Sequence, residues 1–98
     1  MLLVHVMFSF SPQDRDLAME ALKSEVDTVC TMDGSIAFVP FLDATNPQNA
    51  GVLQEWETAN AFAGYIASDS FSKISEILRP LLVSAPVSRR FDATLIEA

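Results

Sequence analysis

The alternation of apolar and polar positions starts at the beginning of the chain. From Leu2 to Phe10, apolar side chains recur with a period of two, which is typical of a β-strand. One face of this segment consists of Val4, Val6, Phe8 and Phe10, and the other of Leu3, His5, Met7 and Ser9. Because both faces are largely apolar, we predict a strand that is covered on both sides.

A helical period follows this strand. Ser11 is a suitable N-cap, and Pro12 falls at the first helical position, where its missing N–H costs nothing. The helix is predicted to run to about Thr31 and to end at Asp33-Gly34. Its apolar stripe consists of Met19, Leu22, Val26 and Val29. Steps of three and four residues place these side chains on one face of the helix.

Two further strand signals come next. Ile36 to Leu42 is rich in branched and aromatic residues, and Pro40 within it indicates an edge strand or a bulge. Asp43 to Gly51 is polar and is predicted to be a connection, and Val52 to Glu57 is predicted to be the third strand. A connection of this length indicates an antiparallel pair.

The last third of the chain predicts two helices and a strand. Thr58 or Asn60 caps a short helix that runs through Ala67, and Ser68 caps a second one. The second helix carries its apolar residues at helical spacing, at Phe71, Ile74, Ile77 and Leu78. Residues 86–96 are predicted to form the last strand.

This order of elements predicts a single domain over residues 1–98 of the α+β class. It is the ferredoxin-like βαββαβ arrangement, a four-stranded antiparallel sheet with the helices on one face. The other face of the sheet, which includes Leu3, His5 and Met7, is then left open. An apolar sheet face of this kind usually marks an interface, so we predict a homodimer in which two sheets stack, with His5 inside the interface.

Composition narrows the class of partner. The net charge of -7 and the pI near 4.3 argue against nucleic acid or an anionic membrane as a partner. The apolar start lacks a basic region and a cleavage pattern, and it is too short to cross a bilayer. The single cysteine, Cys30, forms no internal disulfide and is predicted to be a small core side chain. These features predict a cytoplasmic protein.

Few motifs point to a cofactor. The chain has no Gly-rich phosphate loop and no CxxC pair, so it gives no support to a nucleotide or flavin site. Glu55 and Glu57 bracket Trp56 and share one strand face, but no histidine lies beside them. We therefore predict that these acids meet arginines or face water, and we predict neither a metal nor a cofactor.

Several short motifs resemble one family of small domains. They are Glu55-Trp56-Glu57, Ala61-Phe62, Tyr65 and Ser68-Asp69-Ser70-Phe71. Together with the order of elements they make nearly the whole chain similar to the antibiotic-biosynthesis monooxygenase domain family. This resemblance implies a dimeric α+β barrel and a relationship to quinol monooxygenases and haem-degrading enzymes.

The resemblance also argues against haem degradation. Many members of the family have a histidine where this chain has Tyr65, and the haem-degrading branch has a tryptophan there. The axial histidine of that branch falls at Ser75, and its asparagine on the first strand falls near Val6. Because this chain has neither that axial histidine nor that asparagine, the resemblance implies a cofactor-independent monooxygenase.

That activity implies a set of site residues. A phenol, anthrone or quinol bound between helices and sheet needs apolar walls, a hydrogen-bonding group and a group that stabilises an oxyanion. Tyr65 is the candidate for the hydrogen bond, and Arg89 or Arg90 for the anion. The candidate walls are Trp56, Phe62, Phe71, Phe8, Phe38 and Val6.

Each candidate has a structural alternative. The aromatic residues can be ordinary core side chains, and the Tyr65 hydroxyl can be bonded to backbone. Each arginine can form a surface salt bridge with Asp92, Glu55 or Glu57. The whole chain can therefore also be a non-catalytic dimeric barrel that binds a small apolar ligand or acts as an accessory protein.

Overall fold

One antiparallel sheet and four α-helices make up the computed structural model, which describes residues 1–98. The strands are β1 (Leu2–Ser9), β2 (Ser35–Leu42), β3 (Asn49–Trp56) and β4 (Val87–Asp92), in the spatial order β2-β3-β1-β4. The helices are α1 (Arg15–Ser24), α2 (Val26–Cys30), α3 (Ala59–Ile66) and α4 (Asp69–Leu78). The predicted βαββαβ ferredoxin-like fold is confirmed.

The first helical segment is interrupted, and the prediction of one helix from Pro12 to Thr31 is wrong in this respect. A 3-10 turn spans Pro12–Asp14, and Ser11 makes no side-chain capping bond. The segment then breaks at Glu25, between α1 and α2. The break coincides with long-range contacts. The Glu25 carboxylate accepts hydrogen bonds from Ser70 and Lys73 on α4, which lie 45 and 48 residues further along the chain.

Other boundaries move by a few residues. β3 begins at Asn49, three residues before the predicted start, and β4 ends at Asp92 rather than Ile96. β2 is an edge strand, as Pro40 predicts, and its bulge lies between Ser35 and Ala37. The two later helices begin as predicted, because Thr58 Oγ1 accepts a hydrogen bond from the Ala61 N–H (3.1 Å) and Ser68 Oγ accepts one from the Phe71 N–H (3.2 Å).

The core lies between the helices and one face of the sheet. Its largest fully buried side chains are Trp56, Phe10, Leu22, Val4, Val29 and Val52. Cys30 is exposed, so its predicted place in the core is wrong. It follows Val29, which takes the inward position of this short helix.

The register of the sheet decides which residues face the helices. Val4 lies opposite Gln54 on β3 and Arg90 on β4, so these three share the helix side. His5 lies opposite Leu53 and Arg89 on the other side, which no helix covers. None of the four helices has the length and apolar character needed to cross a bilayer.

Candidate active site

A cavity of about 250 Å³ opens between α3, α4 and the helix side of the sheet. Its walls are mostly apolar, and they come from every strand except β2. The lining residues are Val6, Phe8, Leu22, Val52, Gln54, Phe62, Tyr65, Ile66, Phe71, Ile74, Ser75, Leu78, Arg79, Leu82, Pro86, Ser88 and Arg90. An apolar cavity with a few polar groups is the usual form of a small-molecule site.

Tyr65 is held in the wall by aromatic packing. It sits on α3 with only 6% of its surface exposed. Its ring stacks on Trp56 at 5.4 Å between centroids and meets Phe38 edge-on at 5.7 Å. Phe71, at the start of α4, packs on it at 5.4 Å. These contacts fix the direction of the phenol ring, because both preferred geometries of aromatic pairs are used around it.

The Tyr65 hydroxyl remains available to a ligand. Its backbone carbonyl accepts a hydrogen bond from Ser68 Oγ (2.6 Å), but the phenol oxygen has no partner within the protein. Burial, and secondly the negative charge of Glu25, raise the pKa of Tyr65 from 10.0 to about 12. At neutral pH the group is therefore a protonated phenol, which can donate a hydrogen bond but is a poor base.

Glu25 is the buried acid behind this part of the cavity. Only 7% of the residue is exposed, and both carboxylate oxygens are engaged. Oε1 accepts a hydrogen bond from Ser70 Oγ (2.9 Å), and Oε2 contacts Lys73 Nζ (3.3 Å). The carboxylate thus ties the junction of α1 and α2 to the first turns of α4, and it does not line the cavity.

Gln54 is a polar member of the wall that the sequence pattern did not single out. Its Oε1 accepts the indole N–H of Trp56 at 3.0 Å, in the buried layer of β3. Because an indole N–H can only donate, the Gln54 oxygen faces Trp56 and its amide nitrogen is left as a free donor. Gln54 could have been recognised from the sequence, because alternation along β3 places this glutamine on the inward face, where a polar side chain is unusual.

The two adjacent arginines point to opposite faces of β4. Arg90 lines the cavity and lies over the Phe62 ring, with 4.8 Å from the guanidinium carbon to the ring centroid. Arg89 lies outside the cavity on the open face, over Phe91 at 5.2 Å. Neither forms the salt bridge with Asp92, Glu55 or Glu57 that was the structural alternative.

The aromatic candidates divide into two groups. Phe8, Phe62 and Phe71 line the cavity, as does Val6. Trp56 and Phe38 do not line it, because they are buried behind the Tyr65 ring and support it from the core.

Two other positions bear on the family comparison and on the charge of the site. Ser75, the position that the family resemblance assigns to the axial histidine of the haem-degrading branch, lines the same cavity as Val6 and Tyr65. Arg79, which follows α4, also lines the cavity, and no sequence pattern singled it out.

The arrangement supplies hydrogen-bond donors and positive charge. Among the lining residues, the groups that can carry charge are Tyr65, Arg79 and Arg90, and no carboxylate or histidine is among them. No three or more His, Cys, Asp or Glu side chains cluster so that they could hold a metal ion. The lone histidine, His5, stacks on Phe41 at 5.9 Å on the open face of the sheet.

Solved structures share this fold over nearly their whole length. A protein from Nitrosomonas europaea, provisionally named as an antibiotic biosynthesis monooxygenase, superposes with a TM-score of 0.92 at 12% identity and covers 97% of this chain and 100% of its own. A similarly named protein from Deinococcus radiodurans gives 0.90 at 15% identity, covering 100% and 97%. A conserved protein from Methanosarcina mazei gives 0.89 at 20% identity, covering 95% and 92%. Among curated proteins, none matches the chain.

The sequence itself carries the family assignment. The profile of the family described as antibiotic biosynthesis monooxygenase matches residues 1–76, which include β1, Trp56 and the motifs of α3 and α4. The match covers more than three quarters of the chain, and the structural neighbours agree with it in fold. The chain therefore belongs to the antibiotic biosynthesis monooxygenase family.

Proposed function

We propose that the protein is a cofactor-independent monooxygenase that oxidises a small aromatic phenol, quinol or anthrone in this cavity. One observation carries the proposal: a protonated phenol, Tyr65, and an arginine without a carboxylate partner, Arg90, meet in one apolar cavity. Family membership and the monooxygenase names of several structural neighbours support the reaction class at the family level.

In the proposed reaction the substrate provides the electrons. Loss of a proton gives a phenolate or enolate, which passes one electron to dioxygen, and the two radicals combine at carbon as a peroxide. Collapse of the peroxide forms a C=O group and releases water. The substrate thus loses two hydrogens, both from the methylene carbon of an anthrone, or one from a ring carbon and one from a hydroxyl of a phenol or quinol. It gains one oxygen atom, and the other oxygen atom leaves as water, so the step needs no external reductant.

The protein's part is to stabilise the substrate anion. Because the cavity wall has neither carboxylate nor histidine, the proton is transferred to water, and the charge of Arg90 lowers the pKa of the bound substrate. Tyr65 donates a hydrogen bond to the oxygen where negative charge collects. Phe8, Phe62 and Phe71 exclude water around the ring and strengthen both interactions.

Oxygen consumption tests this proposal directly. The purified protein is supplied with a reduced naphthoquinone or an anthrone under air, and the rate in buffer is subtracted. With isotopically labelled dioxygen, one labelled atom is expected in the organic product. We expect Tyr65→Phe and Arg90→Gln each to lower kcat/KM by about 10- to 100-fold.

Arg89→Gln is the matched control, since it removes the same charge from the neighbouring residue on the opposite face of β4. Its rate is expected to equal that of the unaltered protein. No oxygen uptake above buffer with either substrate class, or equal losses in Arg89→Gln and Arg90→Gln, contradicts the proposal.

A second function is favoured by one feature of the cavity, the absence of a carboxylate or histidine among its lining residues. A binding protein for a small aromatic molecule, or an accessory protein of a pathway, needs the apolar walls and donors but no base. Tight binding of an aromatic ligand without oxygen uptake is the outcome that distinguishes this alternative from the oxygenase.

We also propose that the protein works as a homodimer joined through the open face of the sheet. This face carries exposed apolar side chains from several strands, at Val39, Leu53, Val87 and Phe91. A stacked pair of sheets would cover them with a second copy of the same surface. We place the activity in the cytoplasm, where the exposed thiol of Cys30 would stay reduced.

A further inference from the structure

Positive charge is concentrated in the cavity of an otherwise acidic protein. The chain has 13 Asp and Glu residues against six Lys and Arg, yet two arginines and no acid line the cavity. Arg79 enters it from the end of α4, and Arg90 from the edge strand β4. A random distribution of charges over this surface would place acids there more often than bases.

These two arginines also have no acidic partner, a feature that they share with Arg89 on the open face but with no other lysine or arginine of the chain. Arg15, Lys23 and Lys73 each lie within 4 Å of a carboxylate, at 3.6, 3.2 and 3.3 Å. Arg79 and Arg90 form no ion pair. Arg90 lies over the Phe62 ring, and its N–H donors make no hydrogen bond within the protein.

The volume of the cavity limits the ligand. Drug-sized ligands occupy cavities of roughly 300 to 1,000 Å³, and this one measures about 250 Å³. An aromatic system of one or two rings is therefore the natural occupant of the apolar part. A third fused ring would have to extend through the mouth of the cavity.

We propose that the ligand is an aromatic acid of one or two rings, whose carboxylate or other acid group is held by Arg79 and Arg90 while its ring lies among Phe8, Phe62 and Phe71. Guanidinium groups bind carboxylates through charge-assisted and often paired hydrogen bonds, which an uncharged analogue cannot replace. The inference rests on the proposed function only for the identity of the site, and it concerns binding rather than turnover.

The test compares two ligands of the same shape, 2-naphthoate and 2-naphthamide, by isothermal titration calorimetry at neutral pH. We expect the acid to bind at least about tenfold more tightly than the amide, the preference that a charged hydrogen-bonded contact gives over a neutral one. Added salt is expected to weaken binding of the acid and to leave the amide unchanged.

Arg79→Gln and Arg90→Gln are each expected to reduce this preference several-fold, and the double variant to abolish it. Both arginines are exposed, so the variants should remain folded, which circular dichroism checks. Lys23→Gln removes an exposed positive charge that lies on α1 outside the cavity, and it is expected to bind both ligands as the unaltered protein does.

Equal affinity for acid and amide, no measurable affinity for the acid, or a preference that survives in the double variant overturns the inference. These outcomes are separate from those of the oxygenase assay. An enzyme that oxidises neutral quinols without preferring acids would overturn the inference alone. A protein that binds the acid but consumes no oxygen would overturn the oxygenase alone.

Discussion

At the scale of single residues, Tyr65 is unusual because it is the only tyrosine in the chain and its titration can be followed without interference. Burial and the nearby Glu25 carboxylate raise its pKa from 10.0 to about 12. The folded state therefore holds the proton more tightly than the unfolded state. The stability that this provides is fully present below about pH 10 and is lost as the pH rises to about 12, a loss of up to roughly 3 kcal/mol.

We predict that tyrosinate absorbance of the folded protein appears near pH 12, and that in concentrated urea it appears near pH 10. Tyr65→Phe should show no such absorbance and should lose less stability over this pH range. The difference between the two proteins isolates the contribution of Tyr65 from that of every other group. Because the hydroxyl has no protein partner, this variant should remain folded at neutral pH. A folded-state pKa near 10 would show that the phenol is not buried as described.

Glu25→Gln separates the two causes of the raised pKa. Removing the negative charge should lower the pKa of Tyr65, yet leave it above 10, because burial is the larger cause. The glutamine can still accept the hydrogen bond of Ser70 and loses only the ion pair with Lys73. Titration of Lys73→Gln, which keeps the carboxylate, is the control. An unchanged Tyr65 pKa in Glu25→Gln would contradict the assigned influence of Glu25.

The sequence could name six of the 17 residues that line the cavity. Alternation on a strand showed that Arg89 and Arg90 face opposite sides, yet only the register with β1 shows which side faces the helices. Gln54 was missed because a glutamine in a strand is ordinarily a solvent-facing residue. Its role depends on the indole of Trp56, two positions along the same face of the strand.

At the scale of elements, two glycines differ in whether the fold requires them. Gly34, in the turn before β2, cannot carry a side chain, whereas Gly64, within α3, has room for one. Gly34 has φ +76°, and a Cβ there would lie 2.5 Å from Ala61 Cβ, where α3 crosses the turn. Its carbonyl also accepts the Glu57 N–H at 2.8 Å, which joins this turn to the end of β3. Gly64 lies within α3, and a Cβ there would meet nothing within 4 Å.

We predict that Gly34→Ala lowers the free energy of unfolding by more than about 2 kcal/mol, because both the backbone conformation and the contact with Ala61 oppose a side chain. Gly64→Ala should raise it by about 0.5 to 1 kcal/mol, since alanine favours the helix and fits the space. Urea denaturation measures both, and each variant is the control for the other. Loss of stability in both would mean that α3 does not pack as described.

Element boundaries were predictable where local chemistry sets them. Thr58 and Ser68 cap their helices by accepting hydrogen bonds from residues only three positions further along the chain. Such local caps can be recognised in the sequence. The break at Glu25 was not predictable, because its carboxylate contacts Ser70 and Lys73 far along the chain. The unbroken apolar stripe of Met19, Leu22, Val26 and Val29 gave no sign of that interruption.

At the scale of the whole molecule, the surface is larger than that of a typical folded monomer. The accessible surface is 6031 Å², whereas a monomer of this mass averages about 5,500 Å². Half of the exposed large apolar side chains lie on strands, and four of them share the open face: Val39 (50% exposed), Leu53 (36%), Val87 (58%) and Phe91 (39%). This distribution supports the proposed stacking of two sheets, because only a partner on that face removes it from water.

We predict that light scattering at micromolar concentration gives twice the mass of one chain, and that Leu53→Glu reduces it to that of one chain. Leu53 lies near the centre of the open face, opposite His5 and Val39, and is 36% exposed, so the single chain tolerates a charge there. In a stacked dimer the same carboxylate would be removed from water among the apolar side chains of two sheets, at a cost of several kcal/mol. Ile77→Glu is the matched control, because Ile77 is 37% exposed on α4, outside the sheet face. This variant should leave the dimer intact.

Two results would contradict the stacked dimer: a stable monomer for the unaltered chain, or dissociation by Ile77→Glu but not by Leu53→Glu. The first would show that there is no dimer, and the second that the interface lies elsewhere. Since the cavity lies on the helix side, Leu53→Glu should still bind an aromatic ligand, which separates assembly from recognition.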